Sequence, residues 1–168
     1  AVRQRAAGLV ARLGLQGRFL AAHWRQGDWF LGPHPRKMAQ ARLAEAPRFS
    51  AMLRMHLERL GLSRVFLMTN APFQGPAVRA VASALPGVAL LQAPVLRGDR
   101  HHLRQLCVEM AIATSAEFFV AFGDGVISGM SSMPSLLVLQ MRLHAVGLPW
   151  ESAAFSFAQP SHQDDLGL

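Results

Sequence analysis

The stretch FLAAHWRQGDWFLG, residues 19–32, decides the fold of this 168-residue chain and raises the question of its function. It is typical of a short apolar strand, Phe19 to Trp24, that stops abruptly at charged residues and a glycine. In α/β proteins such a stop often presents a binding site at the carboxyl end of a strand. A buried strand followed by an ordinary solvated turn is the alternative, and spacing alone does not decide between them.

Strands and helices alternate through the rest of the chain, which predicts a parallel sheet with right-handed crossovers. We therefore predict an α/β, Rossmann-like domain over residues 1–150, in which helices flank the sheet, and a polar C-terminal tail over residues 151–168. The last helix is apolar on nearly every side, which predicts that it is buried. The predicted helices are Val2 to Leu13, Pro47 to Leu60, Pro76 to Leu85, Leu103 to Thr114 and Leu136 to Val146, and the predicted strands are Phe19 to Trp24, Val65 to Thr69, Val88 to Leu91 and Phe118 to Val120.

Composition narrows the class of protein. The net charge is +7, and Lys37 is the only lysine beside sixteen arginines. The arginine fork suits phosphate, although a coding bias toward arginine explains most of these residues equally well. The arginines are scattered and show no nucleic-acid motif, so we expect no nucleic-acid partner. No apolar run reaches the length of a membrane span, and membrane contact is not indicated. The chain starts inside a predicted helix without a methionine, as a piece of a longer protein would.

Neither cysteine nor histidine indicates a site of its own. Cys107 lies on the apolar side of a helical pattern, which predicts a buried structural thiol. His101 and His102 are adjacent and lack ligand spacing with the other histidines, so we expect no metal. The motifs GxGxxG, GxxxxGK[ST] and GxSxG are missing from the sequence, which argues against nicotinamide, flavin, P-loop and hydrolase chemistry.

Two places in the sequence are suited to an anion. Arg25 stands just beyond the first strand, and GMSSMPS, residues 129–135, precedes the last helix, whose first backbone amides lack helical partners. An ion pair of Arg25 with Asp28 and ordinary helix capping by Ser132 and Ser135 are the alternatives. Glu109 falls off the apolar stripe of its helix, which by itself predicts a solvated carboxylate.

Four segments together resemble one family. HWRQGDW, residues 23–29, is similar to the HxRxGD-type motif of the GDP-fucose protein O-fucosyltransferases of the GT-B fucosyltransferase superfamily, and is most like the type that acts on thrombospondin repeats. RVFLMTNA at 64–71 resembles the family's strand ending in Ala-Thr-Asp. EMAIATSAEFFVAF at 109–122 and SMPSLLVLQMR at 132–142 resemble its helix-then-strand segment and its Ser-Thr-Phe-Ser segment. The order of the four segments is that of the family.

The resemblance implies the C-terminal, donor-binding half of a GT-B glycosyltransferase with two Rossmann-like halves. The implied enzyme is inverting and moves fucose from GDP-fucose to Ser/Thr hydroxyls of a protein acceptor, with no metal or other cofactor. In it Arg25 is catalytic and holds the β-phosphate, His23 lies against the nucleotide, and Glu109 reads the guanine edge. The residues that the resemblance places at the donor phosphates are Ser132, Met133, Pro134 and Ser135.

The resemblance also implies what lies outside this chain. The protein acceptor and the carboxylate that activates it belong to the N-terminal half, so the fragment alone is expected to be an incomplete enzyme. The implied location is the lumen of the endoplasmic reticulum or Golgi.

Departures from the family pattern leave two alternatives open. Asn70 and Glu109 each stand where the family has Asp, and Met110 stands where it has Gln. Ala121-Phe122 replace Gly-Thr, and Met133-Pro134 replace Thr-Phe. These changes are compatible with a degenerate, non-catalytic GT-B module that binds protein or sugar, or with an enzyme that uses another nucleotide sugar.

Overall fold

Five parallel strands form one sheet in the computed structural model, which describes residues 2–25, 35–69, 71, 74–94, 102–123 and 133–157. The spatial order is β3-β2-β1-β4-β5, so the chain runs outward from the central strand to one edge and then crosses back to the other side. The order therefore reverses between β1 and β4. The strands are β1 Leu20–Arg25, β2 Arg64–Thr69, β3 Ala89–Leu91, β4 Phe118–Gly123 and β5 Ala153–Phe157.

Helices cover both faces of the sheet. The connections β1 to β2 and β2 to β3 pass over one face through α2 and α3, and α1, α4 and α5 cover the other. After α5 the chain continues through a π-helical turn, Met141–Ala145, and a 3-10 turn, Trp150–Ser152. The helices are α1 Val2–Arg12, α2 Pro35–Leu60, α3 Pro76–Ala84, α4 His102–Thr114 and α5 Met133–Gln140.

The central strand β1 is buried on both faces, as its apolar sequence requires. Alternate side chains of a strand point to opposite faces, and each face of β1 joins its own apolar core. Leu20, Ala22 and Trp24 pack under α2 and α3, whereas Ala21 packs under α1 and α4. The predicted α/β parallel sheet with flanking helices is confirmed, and most predicted elements are correct to within a few residues.

Helix α2 is an exception, because it begins at Pro35 rather than at the predicted Pro47. Pro47 lies inside the helix and has no N–H for the carbonyl one turn earlier. That carbonyl belongs to Leu43, which is exposed to solvent. Water can therefore take the place of the missing helical donor, and the helix continues through the proline.

Two further expectations for the C-terminal part are corrected. The last helix is only partly buried, because Val138 and Leu139 face the core whereas Leu137 and Met141 are exposed. The predicted polar tail from residue 151 is wrong for Ala153–Phe157, which pairs in parallel with β4 as the fifth strand. Polar residues dominate only after this short apolar segment, and residues 158–168 lie outside the described part of the chain.

Arg142 is almost completely buried and holds three separate parts of the fold together. Burial lowers the pKa of Arg142 to about 10, which leaves the guanidinium charged at neutral pH. Its two terminal nitrogens donate to carbonyls at the end of α4, before β4 and before β5. The acceptors are the carbonyl oxygens of Ala113 at 3.2 Å, Thr114 at 3.4 Å, Ala116 at 2.6 Å, Glu117 at 3.1 Å and Ser152 at 3.1 Å.

Other arginines also bond to carbonyls near helix C-termini, where the helix dipole favours a cation. Arg18 donates to the carbonyl of Leu60 at the end of α2, at 2.9 Å, and Arg54 donates to that of Ala84 at the end of α3. In a parallel α/β fold these helix ends lie at the amino edge of the sheet. Several arginines therefore stabilise the edge of the sheet opposite to the edge where ligands bind in such folds.

Replacing Arg142 by leucine is expected to destabilise the protein by about 3 kcal/mol or more, because several buried carbonyls lose their donors. Chemical denaturation with far-UV circular dichroism measures the change. The matched control is Arg104→Leu, at an exposed position of α4, where we expect a change within about 0.5 kcal/mol. Equal effects of the two substitutions would contradict the role given to Arg142.

Candidate functional site

The candidate site is the crevice at the carboxyl edge of the sheet between β1 and β4. Strand order reverses there, and in open α/β sheets this is where ligands bind. Arg25, the last residue of β1, is in register with Gly123, the last residue of β4. Helix α5 follows β4 in the crossover to β5, so its N-terminus lies at this same edge.

The N-terminus of α5 offers backbone donors at this edge of the sheet. Its first residues are Met133, Pro134 and Ser135, and the first amides of any helix have no intrahelical acceptor. Proline lacks an amide hydrogen but fits this first turn. The predicted site residue Ser132 lies outside the described residues, as do Asn70 and Asp28. For Met133, Pro134, Ser135 and Arg25 the structure describes the main chain only.

His23 is buried beneath the edge of the crevice, with 4% of its surface exposed. It is in register with Met68 of β2 and Ala121 of β4. By strand alternation its imidazole is on the face covered by α1, α4 and α5. His23 thus lies one layer below the edge, two residues before Arg25 on the same strand.

Glu109 is half-buried on α4, which corrects the expectation of a solvated carboxylate. Helix α4 packs against both α1 and α5, so its buried surface is wider than its apolar stripe. Burial raises the pKa of the Glu109 carboxyl, and a hydrogen bond from Gln105 opposes that rise. Gln105 Nε2 donates to Glu109 Oε1 at 2.8 Å.

An aromatic cluster supports the crevice from the opposite face of the sheet. Trp24 stacks on Phe49 of α2 with 4.6 Å between ring centroids, and Phe49 contacts Phe122 of β4 at 5.2 Å. The indole Nε1 of Trp24 donates to Glu45 Oε2 at 3.4 Å. The cluster connects the ends of β1 and β4, at the residues immediately before Arg25 and Gly123. Sequence reasoning missed it, since its members lie far apart along the chain.

The structure also corrects the expectation for Cys107. Cys107 is exposed, so the predicted buried thiol is wrong: α4 buries the side that carries Val108 and Ile112 instead. Within the described ranges, no group of three His, Cys, Asp or Glu side chains could hold a metal ion. No helix in that same part of the chain is long and apolar enough to cross a membrane.

The structure brings several of the predicted site residues to one region. Arg25 and the start of α5 lie at the same carboxyl edge of the sheet, and His23 is two residues before Arg25 on β1. Glu109 is on a helix that covers the same face of the sheet as His23. Sequence reasoning missed Gln105, although its spacing of four residues from Glu109 on a helix was a usable signal.

This fold is similar to that of solved structures of POFUT1. The structure of POFUT1 in complex with GDP-fucose (crystal form I) matches with a TM-score of 0.64 and 16% identity over 94% of this chain and 46% of that one. POFUT1 in complex with GDP (high-resolution dataset) matches with a TM-score of 0.62 and 17% identity over 92% of this chain and 47% of that one. The chain thus spans about half the length of these proteins.

At such low identity the likeness shows the fold alone, and the predicted α/β fold class, a Rossmann-like parallel sheet flanked by helices, is confirmed by its similarity to about half of each POFUT1 chain. No family model and no curated protein matches the sequence.

Replacing Glu109 by glutamine is expected to raise the melting temperature at pH 7. A carboxyl whose pKa is raised by folding contributes stability below its ordinary pKa and loses that contribution as the pH rises through the raised value. Glutamine removes the desolvated charge, so the gain should vanish at about pH 4 and below. Thermal melts between pH 4 and 8 measure it. Glu58→Gln, at an exposed position of α2, is the control, and a gain independent of pH would contradict the prediction.

Proposed function

We propose that this chain is the donor-binding half of an inverting glycosyltransferase that moves fucose from GDP-fucose to Ser/Thr hydroxyls of protein acceptors. The observation that carries the proposal is that Arg25 and the start of α5 both lie at the carboxyl edge of the sheet, where the strand order reverses, in a fold similar to that of POFUT1 complexes with GDP and GDP-fucose. The HWRQGDW motif, which contains Arg25, supports the same assignment.

The proposed chemistry is the departure of GDP from the fucose carbon. An acceptor hydroxyl oxygen bonds to that carbon from the opposite face, and the bond from carbon to the β-phosphate oxygen breaks with its electron pair. Negative charge therefore grows on the β-phosphate in the transition state. A fixed guanidinium at Arg25 and the positive end of α5 stabilise that charge without needing to reorganise. We propose no metal in this step.

Glu109 is proposed to read the base. Guanine presents two adjacent groups of donors, N1–H and N2–H2, and an ionised carboxylate accepts from both. Uracil presents carbonyl oxygens on its edge, which a carboxylate repels. Glu109 therefore favours GDP over UDP as the nucleotide part of the donor. His23, buried on the same face of the sheet, is proposed to contact the nucleotide.

The remaining parts of the reaction belong to the rest of the protein. The chain covers less than half of the POFUT1 structures, so the acceptor site and the base that takes the hydroxyl proton are proposed to lie in an N-terminal half. We propose the lumen of the endoplasmic reticulum or Golgi as the compartment, on the resemblance of the sequence motifs.

A degenerate, non-catalytic module is the second candidate, and Phe122 is the observation that favours it. The family pattern has a small polar residue at this position, next to the crevice. Here the ring of Phe122 is buried in the aromatic cluster and offers no hydrogen bond to a ligand. A glycosyltransferase with another nucleotide sugar is the third candidate.

Replacing Arg25 by alanine in the full-length protein is expected to lower turnover by about two to three orders of magnitude, because the departing phosphate loses its counter-charge. Steady-state kinetics and calorimetry with GDP and UDP measure the effect, and Arg48→Ala, at an exposed position of α2, is the matched control.

Each outcome separates the candidates. Retained turnover in Arg25→Ala contradicts the proposed mechanism. A wild-type protein that binds GDP without transferring fucose supports a non-catalytic module. Preference for UDP over GDP supports a different donor.

A further inference from the structure

We propose that Gln105 is a positioning residue for Glu109 and that the pair sets the preference for guanine over other bases. This inference rests on the proposed function, because it concerns how the donor nucleotide is chosen. We propose no contact between Gln105 itself and the reacting atoms.

The geometry of α4 carries the inference. Gln105 and Glu109 are separated by one helical turn and lie on the same stripe as Val108 and Ile112, which are buried. The 2.8 Å bond from Gln105 Nε2 to Glu109 Oε1 fixes the plane of the carboxylate. This bond occupies one lone pair of Oε1, and in the proposal Oε2 accepts from the ligand. A guanine edge needs two acceptor sites side by side, so a fixed carboxylate plane favours it.

The electrostatic surroundings explain why such support is needed. Glu109 is half-buried, and burial raises the pKa of its carboxyl. A protonated carboxyl would present an O–H donor toward guanine N1–H, and the discrimination against other bases would be lost. The bond from Gln105 stabilises the ionised form, which is the form that reads guanine.

Charged and titratable groups around the Gln105–Glu109 pair lie on α1, β1 and α4. Arg5 and Arg12 of α1 line a cavity of about 200 Å³ between α1 and α4, together with Gln105 and Val108. His23 is on β1 beneath the helix. The sequence of α5 carries no titratable side chain, and α4 itself also carries His102, the exposed Arg104 and the exposed Cys107. Burial is the first cause of the raised pKa of Glu109, and the bond from Gln105 is the influence that lowers it.

The test uses the full-length protein and two substitutions at one position. Gln105→Leu removes the donor at similar volume, and Gln105→Arg restores a donor and adds a positive charge. Gln140→Leu, at an exposed position of α5, is the matched control. The readouts are GDP and ADP affinities by calorimetry between pH 5 and 8, and the Glu109 carboxyl pKa in the ligand-free protein by carbon-13 NMR.

We expect Gln105→Leu to raise the Glu109 pKa and to reduce the ratio of GDP to ADP affinity about tenfold, with the largest loss at pH 5. Gln105→Arg should lower the pKa and restore the ratio at that pH. Gln140→Leu should change neither quantity.

A folded Gln105→Leu protein with an unchanged affinity ratio and an unchanged Glu109 pKa overturns the inference alone, provided that the wild type binds GDP. A wild-type protein that binds neither nucleotide overturns the proposed function and this inference with it.

Discussion

The buried charge of Arg142 is the interaction on which the second half of the fold depends. One side chain donates to carbonyls at the end of α4, in the turn before β4 and just before β5. Without Arg142 these main-chain acceptors would lose a charged donor inside the fold, which is costly. Helix α4 also carries Glu109, about halfway along its length. Arg142 therefore fixes the C-terminal end of the same helix that holds this carboxylate.

The arginines of this chain serve two opposite edges of the sheet. At the amino edge, Arg18, Arg54 and Arg142 bond to carbonyls near helix C-termini, and their role is structural. At the carboxyl edge lie Arg25 and the N-terminus of α5, and both a guanidinium and a helix N-terminus favour a bound anion. The same residue type therefore stabilises the fold at one edge and suits a phosphate at the other. Net charge alone does not separate these two uses.

The fold was largely predictable because its strands are apolar runs and its helices have clear apolar stripes. The failures have local physical causes. Pro47 suggested a helix start, but the helix continues through it, and Leu43, whose carbonyl loses its helical donor, is an exposed residue. Two expectations for α4 were wrong, a solvated carboxylate at Glu109 and a buried thiol at Cys107. Contacts with α1 and α5 determine which side of the helix is buried. Such contacts between distant segments are not readable from the periodicity of one helix.

Pro47 also shows what stabilises α2. The helix lacks the hydrogen bond that this residue would donate, and the proline ring weakens it further at that point. The residues on both sides of the proline nevertheless stay in the core, since Ala46 and Phe49 are both buried. Packing against the sheet, more than an unbroken ladder of backbone bonds, therefore holds α2 in one piece. The same packing holds Glu45 where it accepts from Trp24, the residue before Arg25.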